Sequence, residues 1–558
     1  MSASGQRLRA LLAALASLAG SAAVAAVVPN ANLTADQQAS RFLAQATFGP
    51  SPEAIAELRG LNHDFNAWID REAAKPVTSA VALLDGPKAA GVAIDRAANR
   101  KARNQVMLSA PDQLRQRVAY ALSQIMVISD VDGNVGNGQD GSSSYYDMLA
   151  RNALGNFRTL MLDVTRHPMM GRYLSHYKNR KANATAGTRP DENYAREAMQ
   201  LFTIGLYNLN ANGTYQTSGG KPVESYTNDN ITEFARVYTG FTDDSTVDTG
   251  TGTGRTDFPR ADANYTAPMR MWELQHDTDA KTLLNYPGAR KPVLPAGQSG
   301  LQDVADAIDN LVEHPNTAPN IARLLIQRLV TSNPSDGYVG RVAAAFVNNG
   351  AGVRGDLKAV VKAILLDSEA RSAAFITDPE HGKLREPFVR LTHVLRAFRY
   401  TVSGGTLPYD FSFTFTEDML GQYPLSSPSV FNFYAPDYQP AGYIGNAGLF
   451  GPEFQILNSV FAITTPNAMN TLISTGAGNF KLNLAEQESL AADPTALLNN
   501  LDLLLTHGTM SAESRAAILK AVQGITPAMV PSGGNLNLTR AQLAVYLTIL
   551  SPDFAVLK

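Results

Sequence analysis

The stretch DLKAVVKAILLD, residues 356–367, decides the fold class, because Leu357, Val360, Val361, Ile364 and Leu365 recur at i, i+3, i+4, i+7 and i+8 without a gap. That spacing lays five apolar side chains along one face of an α-helix, whereas a half-buried strand would alternate them. The same template appears upstream. Leu114, Val118, Leu122 and Ile125 share a face within 112–129, and Val304, Ile308 and Leu311 do so before His314-Pro315, where proline ends the pattern. Helix starts are marked as well. Ser51-Pro52-Glu53 reads as an N-cap, a first-turn proline and a first-turn acid, and Thr188-Arg189-Pro190-Asp191 has the form of a capping box. Glu386-Pro387 opens another helix, with Phe388, Leu391 and Leu395 facing the core. Strand signals are few: Phe411, Phe413 and Phe415 alternate with Ser412, Thr414 and Thr416, enough for one short strand or hairpin. Loops rich in Gly, Asn, Asp, Ser and Thr occupy 130–144, 208–220 and 242–257. The reading is an all-α assembly with long loops and at most a few short strands.

The 558 residues suffice for a large core, and 44% apolar with 17% charged residues is a globular balance. A formal charge of −3 argues against a nucleic-acid partner, since neutralising phosphates takes a basic excess. The absence of cysteine excludes thiol nucleophiles, iron–sulfur clusters and cysteine zinc sites, and leaves the fold to its own core. At the start of the chain, Arg7 and Arg9 precede an uncharged, alanine-rich run over 10–28, and Ala23-Val24-Ala25 supplies small residues at the −3 and −1 positions of a signal-peptidase site. We therefore expect a signal peptide over 1–25, a short linker over 26–35 and one helical domain over 36–556, with 401–417 as the place for an internal boundary. An uncleaved anchor is the alternative, which Gly20 and Ser21 disfavour. The expected location is periplasmic or secreted, with no stable membrane span after cleavage.

Catalytic signatures are sparse. No Gly-x-Ser-x-Gly elbow, zinc-binding His-Glu-x-x-His, phosphate loop or dinucleotide fingerprint occurs, and the histidines lack metal-ligand spacing, so neither metal nor cofactor is expected. Ser175-His176-Tyr177-Lys178 matches Ser-x-x-Lys without its usual companions and reads as coincidence. The loops at 130–141 and 208–219 space side-chain oxygens as calcium loops do, but Gly141 and Gly219 stand where an acid belongs. Three segments concentrate polar chemistry. In DENYAREAMQLFTIGL, 191–206, Glu192 and Arg196 are four apart on a helix, Glu197 lies on the adjacent stripe with Asn193, and Met199, Phe202 and Leu206 form the buried side. NITEFARVYTGFT, 230–242, mixes Glu233 and Arg236 with Phe234 and Val237. HDTDAK, 276–281, packs His276, Asp277, Asp279 and Lys281 into six residues. The basic run Lys178, Arg180, Lys181 and Arg189 is a solvated loop that could also hold an anion beside the Asp191 helix.

Taken together, RFLAQATFGPSPEAI, DENYAREAMQLFTIGL, EFARVYTGFT, HDTDAKTLL, HPNTAPNIARLLIQRLV, KLREPFVRL, GQYPLSSPSVFNFY and the closing YLTILSPDFAVL resemble, in order, the bacterial family called domain of unknown function 1800, over about 36–556. Asp191 and Ala198 depart mildly from that family's Asn-Glu-Asn-Tyr-Ala-Arg-Glu-Leu. The resemblance implies an exported protein without an established activity, often encoded beside a second exported family, domain of unknown function 1501. Two readings follow. One is binding or assembly in the envelope with another exported protein, such as that neighbour, or with a polymer. The other is a secreted hydrolase, in which Glu197 or Glu192 acts as base or nucleophile and His276 or Asp277 as partner, with Arg196 and Lys281 beside them. The bland reading of each segment is structural: Glu192 with Arg196 as a helix pair, Glu197 as a buried anchor, and His276-Asp277 as the cap of a helix that Lys281 continues.

Overall fold

In a computed structural model, residues 32–244, 257–259, 263–402, 417–477, 480–530 and 532–558 are described. Helices carry the architecture. The described strands form five two-stranded antiparallel sheets, none with more than three residues per strand. The fold-deciding stretch is the helix Leu357–Leu365. Asp356 caps it by accepting from the Ala359 N–H at 3.1 Å, and all five periodic residues are buried. Each such side chain contributes about 1.5–3 kcal/mol on burial. It packs against Asp336–Val347, which in turn packs against Thr317–Leu329. Pro52–Gly60 starts at Ser51 as its sequence predicts, and Gly300–Glu313 ends at His314.

At the centre lies Gln113–Ser123, in which every residue is buried, polar ones included. Helices Ala35–Ala46, Phe65–Ala74, Arg96–Ser109 and Gly141–Asn152 surround it. A helix covered on all sides must place its arginines and glutamines against partners inside the protein, and this positions much of the chemistry below. One contiguous hydrophobic cluster runs from Ala39 to Phe554. The end of the chain returns to the middle of the fold. Val556–Leu557 pairs with Lys383–Leu384, and Arg41 donates its Nε–H to the Lys558 carbonyl at 2.6 Å. No helix of the described residues is long and apolar enough to cross a membrane.

Local expectations needed correction in three places. The 191–206 helix spans only Asn193–Gln200, so Phe202 is buried but Leu206 is 47% exposed rather than core. Thr188 does not cap it. Thr188 and Asn183 exchange backbone hydrogen bonds in a small loop, while the Asp191 carboxylate accepts from the Asn193 N–H at 2.9 Å. Proline at 190 allows either solution, and the loop's own pairing wins. Lys281 begins a short strand, Lys281–Thr282, not a helix. The signal-peptide stretch, most of the 26–35 linker, the Phe411–Phe415 alternation and nearly all of 401–417 lie outside the described residues. Helix Ala35–Ala46 follows at once, with a complete capping box between Thr34 and Gln37.

Candidate functional site

The HDTDAK segment folds into a closed knot of ion pairs. His276 is fully buried, with Nδ1 against the Thr239 carbonyl at 2.9 Å and Nε2 against Asp303 Oδ2 at 3.0 Å. Lys281 donates to the same Asp303 oxygen at 2.6 Å and to the Asp279 carbonyl at 3.0 Å. Asp277 takes a bidentate fork from Arg236, at 2.9 and 3.0 Å, and Arg236 also grips Glu233. Burial alone would push the pKa of both carboxyls up, but Arg236 at Asp277, and His276 with Lys281 at Asp303, outweigh it and hold them below the ordinary carboxylate range. Every group here already has a partner, so the arrangement ties Asn228–Val237 to Gly300–Glu313. Asp303, which completes the knot, stands 22 residues beyond Lys281 and carries no spacing signal.

On helix Asn193–Gln200 the predicted residues separate. Glu192 and Arg196 form a surface pair at 3.6 Å, both sides nearly half exposed, and Glu192 also accepts from Thr232 at 3.0 Å. Glu197 points inward and is buried, with Oε2 lacking a hydrogen-bond partner among the described residues. Desolvation pushes its carboxyl up to about 7, only partly countered by Arg196. Its charge is felt by Tyr173 and Tyr226. The structure thus gathers His276, Asp277 and Lys281 into one group, and no described hydrogen bond or ion pair joins Glu197 to them. Of the oxygen-rich loops, Asp130 is engaged by Arg100 at 2.7 Å and Arg103 at 3.0 Å, and Asp132 caps the short helix Gly133–Gly136.

Sequence reasoning missed two features. One is a buried charge cluster around KLREP. The Glu386 Oε2 atom accepts from Tyr120 at 2.8 Å, Gln422 at 2.5 Å and Gln124, while Lys383 pairs with Glu453 at 3.0 Å, all within the interior. Lysine, arginine and glutamate in a row were readable only as a helix start, since sequence does not report that charged side chains face inward. The other is an outer face without cations. Of eighteen large apolar residues that are exposed among the described residues, six fall between Met419 and Ile463: Met419, Phe431, Tyr443, Leu457, Val460 and Ile463. Met419, Leu457, Val460 and Ile463 gather where Glu417–Leu420 packs on Phe461–Ser474, with the Met419 carbonyl accepting from Thr464 and Thr465. One signal was available for it: no Lys, Arg or His occurs between Arg399 and Lys481.

This face is anchored rather than frayed. Asp130 donates its N–H to the Leu425 carbonyl at 2.7 Å, Ser129 donates to that of Ser427 at 2.6 Å, and Gln327 to that of Pro436 at 3.0 Å. Asn333 and Phe450 exchange two hydrogen bonds at 2.9 and 2.8 Å. An irregular segment whose backbone is satisfied from beneath holds its outward side chains at little further entropic cost. Such a surface can bind a complementary face, and Phe431 and Tyr443 are rigid aromatics exposed on the same stretch of chain.

A family model described as Protein of unknown function (DUF1800) matches residues 41–556. No curated protein and no solved structure matches the chain.

Proposed function

The chain belongs to the family described as Protein of unknown function (DUF1800), and on that premise we infer that it is an exported cell-envelope protein that binds another exported protein through the cation-free face between Met419 and Ile463. The observation that carries this reading is the exposure of that face, with Tyr443 at 77% and Ile463 at 64%, on a segment pinned to the helical body. Scattered apolar residues are normal on any surface, but a concentration free of cations marks a place where water is meant to be displaced. Its aromatic, amide and hydroxyl composition suits a protein partner that buries apolar area without needing charge pairs. The leader expected over 1–25 is what motivates export, and the partner class to try first is the exported domain of unknown function 1501 protein. Mixing the two at micromolar concentration and following sedimentation should give a complex. Val460→Asp with Ile463→Asp should abolish it while leaving fold stability within about 0.5 kcal/mol, as for other exposed positions. No association of the wild-type chains, or full association of the double variant, would overturn the reading.

Glu197 favours a second reading, a hydrolase using that carboxyl as general base, because a group held at about 7 is poised for proton transfer near neutral pH. Its partner would have to come from beside it, where Tyr173 and Tyr226 lie, since His276 and Asp277 are taken up by Asp303 and Arg236. Turnover of an ester or glycoside by the wild type, lost in Glu197→Gln and with a pH limb near 7, is the result this reading requires.

A further inference from the structure

A small enclosed cavity, about 10 Å³ and so of single-water size, lies where Gln113–Ser123 meets the Lys383–Pro387 turn, lined by Arg117, Lys383, Arg385, Glu386, His393 and Gly49 among others. Its walls are fixed. Arg117 donates Nη2–H to the Arg328 carbonyl at 2.6 Å, and Lys383 reaches the same carbonyl at 3.0 Å. Arg385 donates to His393 Nδ1 at 3.0 Å and to His507 Nε2 at 2.7 Å. Gly49 sits at φ +130°, and a Cβ there would stand 2.6 Å from His393 Cα.

Three donors on this cavity's lining residues have no partner among the described residues: Arg117 Nε and Nη1, and Arg385 Nε. Both arginines are 3% exposed. One acceptor, Glu386 Oε1, is likewise unpartnered. The surrounding charge is unbalanced in the same sense. Arg117, Arg328, Lys383 and Arg385 are four buried cations; Glu386 faces the first three and Glu453 pairs with Lys383, so these described groups carry two more positive than negative charges. Uncompensated charge at such depth is strongly disfavoured, and a water would neutralise none of it.

We propose that this cavity is a structural site for one monovalent anion of halide size, held by Arg117 and Arg385 with Lys383 behind them. Its dimensions exclude sulfate and phosphate, and its charge favours an anion over water despite the single carboxylate oxygen on its wall. The site lies deep in the body, distinct from the exposed binding face, so it acts on folding and not on recognition.

The test uses the full chain refolded with sodium bromide as the only halide, crystallised, and measured at the bromine absorption edge. One anomalous peak between Arg117 and Arg385 is expected, and its absence overturns the proposal, showing the cavity to hold water. Independently, the wild-type thermal midpoint should rise with each tenfold step in chloride at ionic strength held constant with gluconate, because a ligand of the native state alone stabilises it. Equal midpoints in the two salts would also overturn it. Arg117→Met should lose both the peak and the chloride dependence. Should that variant not fold, the wild-type diffraction and melting results still decide the matter.

Discussion

Lowering the pH from 7.5 to 5.5 should weaken this fold severely, through histidines that are buried without a charge. Six of the eight are held below their ordinary value: His167 at about 3, His176, His314 and His381 at about 4, and His393 and His507 well down, in each case chiefly because burial penalises the imidazolium. The hydrogen bonds agree. Ser40 donates to the Leu503 carbonyl, so His507 Nδ1–H must donate to Ser40, leaving Nε2 to accept from Arg385. His393 likewise donates Nε2–H to the Leu504 carbonyl and accepts from Arg385 at Nδ1. Both rings are fixed as neutral tautomers. In the unfolded chain each histidine titrates near 6.5, so below that pH the unfolded state binds more protons and stability falls as the pH falls.

At pH 5.5 each unfolded imidazole is favoured by about 1.4 kcal/mol over its neutral folded counterpart, giving about 8 kcal/mol for six. Glu197, held at about 7, works in the opposite sense, since the folded state takes up its proton first; that offsets about 2 kcal/mol. Glu72 and Asp147, both raised by burial, trim the loss further. A net loss of about 5 kcal/mol remains, against a total stability of about 5–15 kcal/mol for a typical domain. Urea unfolding at pH 7.5, 6.5 and 5.5, at constant temperature and ionic strength, measures it directly. A stability that stays flat or rises across this range would refute the neutral, buried assignment of these rings.

Asp303→Asn should cost about 3 kcal/mol by leaving the buried Lys281 ammonium with Asp277, 4.0 Å away, in place of its contact carboxylate, read from the urea midpoint. Glu197→Gln should raise stability at pH 8 by about 1–2 kcal/mol, discounted because the carboxyl is not wholly desolvated, and by less than about 1 kcal/mol at pH 5, where the native acid already holds its proton but the unfolded one is still mostly ionised. Urea midpoints at the two pH values distinguish this from a general packing effect, which would be equal at both. Gly49→Ala should cost about 3 kcal/mol or more, since the new Cβ meets backbone at a positive φ; thermal unfolding at pH 7.5 provides the check.

How much of the candidate site was legible depends on whether its physics is local. The Glu192–Arg196 pair was, because four residues on a helix fix that distance whatever surrounds it. The grouping of His276, Asp277 and Lys281 was legible as a cluster, but not the Asp303 that completes it, which arrives from another helix. Glu197 could be placed on a stripe, yet its unpartnered oxygen follows from what packs over it. Leu206 was misassigned because the helix stops at Gln200, with Gly205 at φ +75° turning the chain away.

The sequence by itself determined the helices, most of their starting caps and the family, since periodicity, capping residues and ordered motifs are properties of neighbours along the chain. Only the tertiary structure decided which charges are buried. The same KLREP letters would suit an exposed turn. They become a charge cluster because the fully covered Gln113–Ser123 helix, the returning end of the chain and Glu453 close over them. Burial, and with it most of the altered acidities and unpartnered donors, is set by elements that are distant along the chain, and local pattern carries no record of them.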